Sequence, residues 1–365
     1  MISNLPCLIH GYIFHKLIGK GGFSSVYLVQ SERFMMEFCA KVTQIPNSES
    51  TEEGEKAAIN EMNALISLNH PHILRLYDHF RDNSRFYLII EYCSGGSLSN
   101  KVLRNKGLSI DNFLYLSRQI ISALATCHQH NIAHHDLKLG NVLLDEYGRT
   151  KLADFGISIR IERYGDLCES YSGSIEYEAP EILIKKPHDP FAADIWALGV
   201  LFAHMIGGSS PWRCDTIGKL KKCIMKGVYR LPKNVPSEIS DIISKMIVVE
   251  PEKRITMKQL KMIPLFQMNE IPIEVSLYDY LDSNSADCLS PAGRQMSAFE
   301  EEQPAADPNE LEATTSLSII EDSVLNYQTS TTLTICRLNI LKGRSTVPLM
   351  RSRYHAKPTF SFQIE

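Results

Sequence analysis

Three polar side chains stand at fixed intervals in HHDLKLGN, the stretch from His134 to Asn141: Asp136, Lys138 and Asn141. A carboxylate can accept a proton, an ammonium group brings positive charge, and an amide oxygen can ligate a hard cation. Taken singly, Asp136 is more commonly a turn residue and Asn141 a local cap. The trio therefore gains meaning from the elements and motifs that accompany it.

A glycine-rich loop, IGKGGFSSV from Ile18 to Val26, lies between two predicted strands. Gly19 and Gly21 let the backbone lie close over phosphates, which the N–H groups of such a hairpin can bind. By itself, a Gly-Gly pair between strands is more commonly a simple turn. Ser24 stands where a G-x-G-x-x-G motif has its third glycine, and a strand rather than a helix follows, which excludes a Rossmann unit.

Lys41 ends the predicted strand FCAKV, downstream of this loop. A lysine at a strand end is ordinarily exposed to solvent, but it can reach inward to nucleotide phosphates if a carboxylate holds it. Glu61 can supply that carboxylate, because it lies beside the apolar face of a predicted amphipathic helix. The residues of that face are Ala58, Met62, Leu65 and Ile66.

The order of the predicted elements indicates the fold class. The strand candidates GYIFHKLIGK, SSVYLVQ, FMMEFCAKV, LRLYDHF and FYLIIEY come first, with one helical segment, EKAAINEMNALISLN, between the third and the fourth. Beyond Gly95 the pattern is mainly helical. We predict an α+β protein in which a small sheet-rich lobe joins a larger helical lobe through YCSGG, with a cleft between the lobes.

The stretch HHDLKLGN resembles the H-R-D-L-x-x-x-N catalytic loop of eukaryotic protein kinases in every position but the arginine. Further matches follow in order: DFG at 154–156, APE at 179–181, DIWALG at 194–199 and EPEKRIT at 250–256. The resemblance covers roughly residues 12–266 and implies a two-lobed kinase domain, with an N-lobe at about 12–92 and a C-lobe at about 96–266.

The resemblance implies ATP and magnesium as cofactors and assigns a task to each polar residue. Asp136 would orient the substrate hydroxyl and accept its proton, while Asn141 and Asp154 would hold magnesium ions. Lys138 would neutralise the γ-phosphate, and Lys41, fixed by Glu61, would bind the α- and β-phosphates. None of these residues is lost, which favours an active enzyme.

The rest of the nucleotide site is also carried over from the resemblance. Backbone groups of Glu91 and Cys93 would bind the purine edge, and Ile90 would take the gatekeeper position. Cys39 stands where relatives more commonly have alanine. The loop and the slot comprise Ile18, Gly19, Lys20, Gly21, Gly22, Phe23, Ser24, Ser25, Val26, Cys39, Ile90, Glu91, Cys93 and Leu143.

The chain is most similar in type to serine/threonine kinases, because Lys138 follows the catalytic aspartate by two positions and Ser174 precedes APE. Among these, NHPHILRLYDHF and the DIWALG region look nearest to the calcium/calmodulin-dependent group. We expect Glu181 to pair with Arg254 beneath the substrate platform and Asp194 to brace the catalytic loop. Possible regulatory phosphorylation sites are Ser170, Tyr171 and Ser172.

His135 replaces the arginine that in relatives binds a phosphate on the activation loop. Imidazole cannot copy those bidentate bonds, so we predict that activity depends less on activation-loop phosphorylation than in arginine-bearing relatives. Ser97 and Gly140 stand where arginine-directed relatives usually have acids. We therefore predict a weak preference for basic residues upstream of the target hydroxyl, although Gly140 also fits a simple tight turn.

Two other functions compete with this prediction. One is a nucleotide-binding scaffold with little turnover, against which the complete catalytic set argues. The other is a small-molecule kinase of the same fold, disfavoured by APE, Ser174 and DIWALG, which in relatives form the surface that receives a polypeptide. A test with labelled ATP, magnesium and a general protein substrate separates the first alternative from an active kinase.

Composition sets the remaining expectations. The net charge of −4 and a charged content of 22 % over 365 residues give no general attraction to nucleic acid or membranes. Nine scattered cysteines without CxxC pairs favour free thiols, and the N-terminus lacks a signal-peptide pattern. We expect a soluble signalling enzyme of the cytoplasm or nucleus whose partners are protein substrates.

Residues 268–365 change in character, with much Ser, Pro, Ala and acid and few large apolar side chains. We predict a mostly disordered tail. Acids without Lys or Arg occupy 295–336, and Lys and Arg without acids occupy 337–357. The basic block could act as a pseudosubstrate, carry an autophosphorylation site, recruit a partner, or have no role.

Overall fold

The computed structural model describes Ile2 and residues 4–45, 52–82, 84–163 and 165–267. The predicted disordered tail, 268–365, lies outside the described residues. The described part has the two-lobed arrangement that the sequence predicts, with a β-sheet lobe followed by a helical lobe.

The small lobe is built on one antiparallel sheet of six strands in the order β1-β2-β3-β4-β6-β5. Alternate side chains of the inner strands point into a core where Phe14, Tyr27, Phe38 and Tyr87 pack together. The strands are β1 (Cys7–Ile9), β2 (Tyr12–Lys20), β3 (Ser24–Ser31), β4 (Glu37–Gln44), β5 (Leu76–Asp82) and β6 (Arg85–Glu91).

Two strand predictions need correction. The edge strand β1 was not predicted, because three residues are too few to show a period. The candidate FMMEFCAKV begins too early: Met35 has a φ of 53°, and its N–H bonds the carbonyl of Ser31 at 2.8 Å, so a turn precedes β4. The apolar residues before β4 were mistaken for part of the strand, although they lie in a turn where Met35 and Met36 are exposed.

Helix α1 (Glu52–Ser67) follows β4 and packs against the sheet, as predicted. Ala58 and Leu65 are buried, and Glu61 is buried beside them. Ile66 is 61 % exposed, so its assignment to the apolar face was wrong. The spacing explains the error, because Ile66 follows Leu65 directly and is turned about 100° away from it on the helix.

The large lobe contains the other helices and three short β-pairings in the described residues. Its helices are α2 (Leu98–Asn105), α3 (Ile110–Gln129), α4 (Pro180–Leu183), α5 (Pro190–Gly207), α6 (Ile217–Lys226), α7 (Ser237–Met246), α8 (Met257–Lys261) and α9 (Pro264–Gln267). The short strands are β7 (Gly96–Ser97), β8 (Ile132–Ala133), β9 (Val142–Leu144), β10 (Thr150–Leu152) and β11 (Ile159–Arg160). β9 pairs with β7 and β10, and β8 pairs with β11.

Helix α5 forms the centre of the large lobe. Asp189 caps its start by accepting from the N–H of Phe191 at 2.8 Å, and Gly208 ends it with a φ of 69°. It is the one helix within the described ranges that is long and apolar enough to cross a membrane, but 78 % of it is buried inside the fold. A buried core helix has the same composition, so α5 is weak evidence for a membrane span.

The catalytic loop lies between the short strands of the large lobe. It runs from β8 through a 3-10 turn, Leu139–Asn141, into β9, while the DFG segment lies between β10 and β11. The pairing of β8 with β11, and of β9 with β10, fixes both segments side by side. Polar residues distant in sequence are thereby held at the same face of the lobe.

Candidate functional site

Lys41 lies at the junction of the two lobes and binds two carboxylates. Its Nζ is 2.6 Å from Glu61 Oε2, on α1, and 2.9 Å from Asp154 Oδ1, in the DFG segment. Burial alone would lower the pKa of Lys41, but the two carboxylates raise it further than burial lowers it. The structure thus brings together three residues that the sequence analysis singled out, around one charged ammonium group.

Asp154 has a φ of 66°, a left-handed conformation that aspartate tolerates better than most residues. Burial tends to raise its pKa, but Lys41 lowers it below the ordinary value, which keeps the carboxylate ionised. Its side chain is 44 % exposed, and only Oδ1 bonds Lys41. The carboxylate therefore retains the capacity to bind another ligand.

Asn60, which the sequence analysis missed, fixes the DFG segment to α1. Its Nδ2 lies 3.1 Å from the carbonyl oxygen of Phe155, 3.2 Å from that of Gly156 and 2.8 Å from that of Ser158. These contacts span more than ninety positions of sequence. No local signal marks Asn60 beyond its place next to Glu61.

Asp136 is the centre of a second cluster. Oδ2 accepts from Lys138 Nζ at 2.7 Å and from Asn141 Nδ2 at 2.8 Å, while Oδ1 accepts from the hydroxyl of Ser174 at 3.0 Å. Lys138 Nζ also donates to Ser174 Oγ at 3.0 Å. The four predicted residues therefore meet at one carboxylate, which already holds a serine hydroxyl in hydrogen-bond contact.

A buried carboxylate on α5 positions this loop. Asp194 Oδ2 accepts from the N–H of His134 at 2.8 Å, and Oδ1 accepts from the N–H of His135 at 2.9 Å. His128 Nε2 lies 2.9 Å from Asp194 Oδ2. Burial would raise the pKa of Asp194, but the hydrogen bonds, led by that from His128, lower it below its ordinary value. Asp194 thus contacts the loop as the sequence analysis expected.

The glycine loop joins β2 to β3 in a tight turn closed by a 2.8 Å bond from Gly21 N–H to the carbonyl of Ser24. A Cβ added at Gly22 would meet nothing within 4 Å, so the loop faces open space. Ile18 and Phe23 are exposed here. The tip of this turn is therefore exposed to solvent.

The predicted adenine slot is lined by apolar side chains from both lobes. Cys39 faces Ile90 across β4 and β6, and both are buried. Val26 and Leu143 are partly buried against the same core. Burial raises the pKa of the Cys39 thiol to about 12, so this thiol is protonated and poorly nucleophilic.

The hinge offers a backbone donor. The N–H of Glu91 bonds the carbonyl of Arg75 at 2.9 Å, whereas no hydrogen bond from the N–H of Cys93 occurs within the described residues. Lys151 Nζ lies 2.6 Å from Glu91 Oε1, a pair that the sequence analysis missed. An open donor beside an apolar slot fits a flat, polar-edged ring such as a purine.

Oxygen donors for a hard cation are also present. Asn141 directs its nitrogen to Asp136, both to the carbonyl oxygen at 2.9 Å and to Oδ2, which leaves its amide oxygen for another partner. Asp154 contributes an ionised, half-exposed carboxylate. Carboxylate and amide oxygens are ligands that magnesium prefers, so these two residues fit that ion.

The predicted substrate platform rests on a buried ion pair. Arg254 Nη1 lies 2.6 Å from Glu181 Oε1, and Arg254 Nη2 lies 2.7 Å from Glu181 Oε2. Arg254 also donates to the carbonyls of Val248 and Ala192. Both charged side chains are nearly fully buried, so the pair holds α4 to the segment before α8.

The predicted phosphorylation sites differ in accessibility. Ser172 is exposed, whereas Ser170 and Tyr171 are half-buried. His135 is itself buried, and burial lowers its pKa, so the imidazole is neutral at pH 7. Its Nε2 faces His188 Nε2 at 3.3 Å.

Known proteins are similar in sequence to this part of the chain. The sequence profile of the protein kinase domain matches residues 12–266. The chain is 33 % identical over 266 residues to a carbon catabolite-derepressing protein kinase of Secale cereale, covering 72 % of this chain and 53 % of that protein. It is 34 % identical over 262 residues to CBL-interacting serine/threonine-protein kinase 19 of Arabidopsis thaliana, covering 71 % and 54 %.

The chain spans about half the length of these curated relatives. Both carry the word kinase in their names, and one is named a serine/threonine kinase. The predicted nearness to the calcium/calmodulin-dependent group receives only loose support from these names.

Proposed function

The chain belongs to the protein kinase family, and from that premise we propose that it transfers the γ-phosphoryl group of ATP to serine or threonine hydroxyls of protein substrates. The convergence of Lys138, Asn141 and Ser174 on Asp136 supports this proposal most strongly. The contact from Ser174 resembles the contact that a substrate would make, because an aliphatic hydroxyl donates a hydrogen bond to the proposed base.

Asp136 orients the attacking hydroxyl and accepts its proton as the oxygen bonds to phosphorus and the bond to the leaving ADP breaks. Asn141 holds the carboxylate in position by donating at 2.8 Å. Lys138, which lies 2.7 Å from Asp136, reduces negative charge beside the transferring group. Positioning and charge cancellation are the main contributions that this transfer requires of a protein.

Lys41 binds the α- and β-phosphates, which remain on the nucleotide. Glu61 orients the ammonium group, and burial of Glu61 keeps this contact away from competing water. Asn141 and Asp154 would hold magnesium, which supplies positive charge to the phosphate oxygens when it is bound. The slot formed by Val26, Cys39, Ile90 and Leu143 would take the adenine ring, with the Cys93 N–H at its edge.

The test is transfer of labelled phosphate from ATP with magnesium to a general protein substrate, followed by phosphoamino acid analysis. We expect labelled phosphoserine or phosphothreonine, and no transfer by the matched variant Asp136→Asn. A wild-type chain that binds ATP but transfers no phosphate would instead support the nucleotide-binding scaffold. Labelled phosphotyrosine as the main product would contradict the predicted specificity. Localisation in the cytoplasm or nucleus stays a prediction.

A further inference from the structure

Three metal-ligating side chains cluster outside the catalytic cleft: His135, Cys168 and His188. They are 8 %, 9 % and 3 % exposed, and their ligand atoms all lie within 4.8 Å of one another. His135 Nε2 is 3.3 Å from His188 Nε2, and Cys168 Sγ is 3.2 Å from the same His188 atom. None of these contacts is used by the proposed phosphoryl transfer.

The backbone holds all three residues in place. Cys168 and His188 exchange two hydrogen bonds, of 2.9 and 3.1 Å, as an isolated antiparallel bridge. Residues in such a pair carry their side chains on the same side. The N–H of His135 donates to Asp194 at 2.9 Å. His135 has a left-handed φ of 65°, and its side chain contacts His188. The cluster is therefore organised before any ligand binds.

The tautomer of His188 is set by its second nitrogen. His188 Nδ1 lies 3.0 Å from the carbonyl oxygen of Lys186, which can only accept, so Nδ1 carries the proton. In this tautomer Nε2 presents a lone pair to His135 and Cys168. In known sites, a metal-ligating histidine is oriented in this way, by a carbonyl that accepts from its other ring nitrogen.

Without a further ligand, the hydrogen bonds of the cluster do not balance. Either tautomer of His135 leaves one contact unsatisfied. A protonated Nε2 would compete with the thiol of Cys168 for the single lone pair of His188 Nε2, and an unprotonated Nε2 would face that lone pair with its own. Buried polar groups are ordinarily paired, so this arrangement points to a missing partner among the three side chains.

The distances suit a tetrahedral metal. Zn–N bonds of about 2.0–2.1 Å at a tetrahedral angle separate two nitrogens by about 3.3–3.4 Å, and a Zn–S bond of about 2.3 Å gives about 3.5 Å between sulfur and nitrogen. The observed 3.3 and 3.2 Å lie close to these values. The third separation is at most 4.8 Å, so it has to shorten by up to about 1.3 Å when the metal binds.

We propose that His135, Cys168 and His188 bind a zinc ion, with water as the fourth ligand. Two imidazoles and one thiolate are a ligand set that zinc favours over magnesium or calcium. Zinc binds neutral imidazole and thiolate, so binding releases the proton of the Cys168 thiol. The adjacent Asp194 carboxylate offsets the positive charge of the site.

The ion would connect three separate segments: the catalytic loop, the segment between the DFG and APE motifs, and the turn before α5. The ion would hold the segment between the DFG and APE motifs by metal coordination. In relatives, the resemblance implies that a phosphate contact holds this segment. This effect on activity rests on the proposed function, whereas zinc binding itself does not.

Metal content of the purified full chain tests the site directly, without any activity measurement. Under reducing conditions we expect about one zinc per chain by mass spectrometry. Cys168→Ser and His188→Gln should weaken zinc binding at least about 10–100-fold in competition with a chromogenic chelator. Cys214→Ser is the matched control, because it removes a thiol from the other close pair, where Cys214 Sγ is 3.2 Å from Cys223 Sγ. This control should keep its zinc.

Cobalt substitution identifies the ligands. Wild-type protein loaded with cobalt(II) should show a thiolate-to-metal charge-transfer band that Cys168→Ser lacks. Cys168→His should restore metal binding without the band, which separates ligand loss from misfolding, and circular dichroism should match wild type. Removal of zinc should also speed tryptic cleavage after exposed Arg163, a readout independent of ATP.

Three outcomes would overturn the proposal. One is a wild-type chain that takes up no zinc at micromolar concentration, and another is purification with a different metal. The third is full zinc retention by both Cys168→Ser and His188→Gln, which would locate the ion elsewhere. Failure of phosphate transfer with intact zinc binding would reject only the proposed function.

Discussion

Asp154 and Glu181 are both carboxylates bonded to a basic side chain, but their surroundings differ. Asp154 gives one oxygen to Lys41, is 44 % exposed and keeps capacity for another ligand. Glu181 is 8 % exposed and gives both oxygens to Arg254, whose remaining donors bond backbone carbonyls. The Arg254 guanidinium also lies 5.1 Å from the centre of the Trp196 ring.

The difference shows how to separate a ligand-binding ion pair from a structural one. A structural pair is closed, since every donor and acceptor finds a partner inside the fold, as its burial requires. A ligand-binding pair keeps an unused acceptor and an excess of one charge, as at Lys41, where two carboxylates surround one ammonium group. Removal of a carboxylate should therefore cost stability in the first case and activity in the second.

The largest effect is expected at the closed pair. Glu181→Gln leaves the buried charge of Arg254 without its partner, which should lower the free energy of unfolding by about 3–5 kcal/mol. Urea denaturation measures this change. Asp215→Asn, which breaks the exposed pair with Lys219, is the control and should not shift the midpoint. Equal effects of the two substitutions would contradict the buried assignment.

At the open pair, Asp154→Asn should reduce kcat by about 10²–10³, the scale for loss of one preorganised electrostatic contact. Stability should change little, because asparagine accepts the left-handed φ of 66° and Lys41 keeps Glu61. Initial rates at saturating ATP measure kcat, and thermal denaturation measures stability. Exposed Asp241→Asn should match wild type in both assays. An Asp154→Asn variant that is unstable but active would reverse the comparison.

A smaller, pH-dependent effect on stability is expected at His70, where the two lobes meet without an ion pair. His70 Nδ1 accepts from the N–H of His72 at 3.1 Å, and Nε2 contacts Ser122 Oγ at 2.9 Å. Burial first, and then electrostatic repulsion from His72, Lys151 and Lys261, lowers the pKa of His70 to about 4. The unfolded chain, with a pKa near 6.5, therefore takes up the proton first.

Stability from His70 should be complete above pH 6.5 and should be lost as the pH falls towards 4. After allowance for partial exposure, the loss between pH 7 and pH 5 should be about 1–2 kcal/mol. Urea denaturation at both pH values measures it. His70→Asn should remove that part of the pH dependence, and an unchanged dependence would show that His70 is not involved.

The smallest effect is expected from complete phosphatase treatment. His135 faces His188 and Cys168 in the interior, so it does not present a phosphate-binding group. Activity should fall by less than about tenfold, or about 1.4 kcal/mol of barrier. Mass spectrometry should verify that Ser170, Tyr171 and Ser172 are unmodified. A larger loss would rule out the predicted independence from activation-loop phosphorylation.

Much of this arrangement could be predicted from the sequence because it follows local rules. The strand periods and the amphipathic pattern of α1 indicated the two lobes, and the motif order indicated which polar residues to compare. The same rules failed where the chain turns without a marker, at Met35, and where one residue lies just beyond a helical face, at Ile66.

The contacts that were missed join residues distant in sequence. Asn60 reaches the DFG segment, and His188 meets Cys168 through an isolated β-bridge and His135 through its side chain. Periodicity has no information about such contacts, because it indicates which face of an element is buried and not which distant segment a polar side chain meets. The tail at 268–365 and its opposed charge blocks stay predictions, outside the described residues.

The bonds from Asp194 to the N–H groups of His134 and His135 have a consequence for hydrogen exchange. These two amides are secured by the central, almost wholly apolar helix rather than by neighbouring loops. Their exchange with deuterium should therefore require the cooperative opening of the whole helical lobe, while amides of the glycine loop exchange through small local fluctuations. In this way the loop that carries Asp136 can be as rigid as the core of the lobe, while the glycine loop stays free to move.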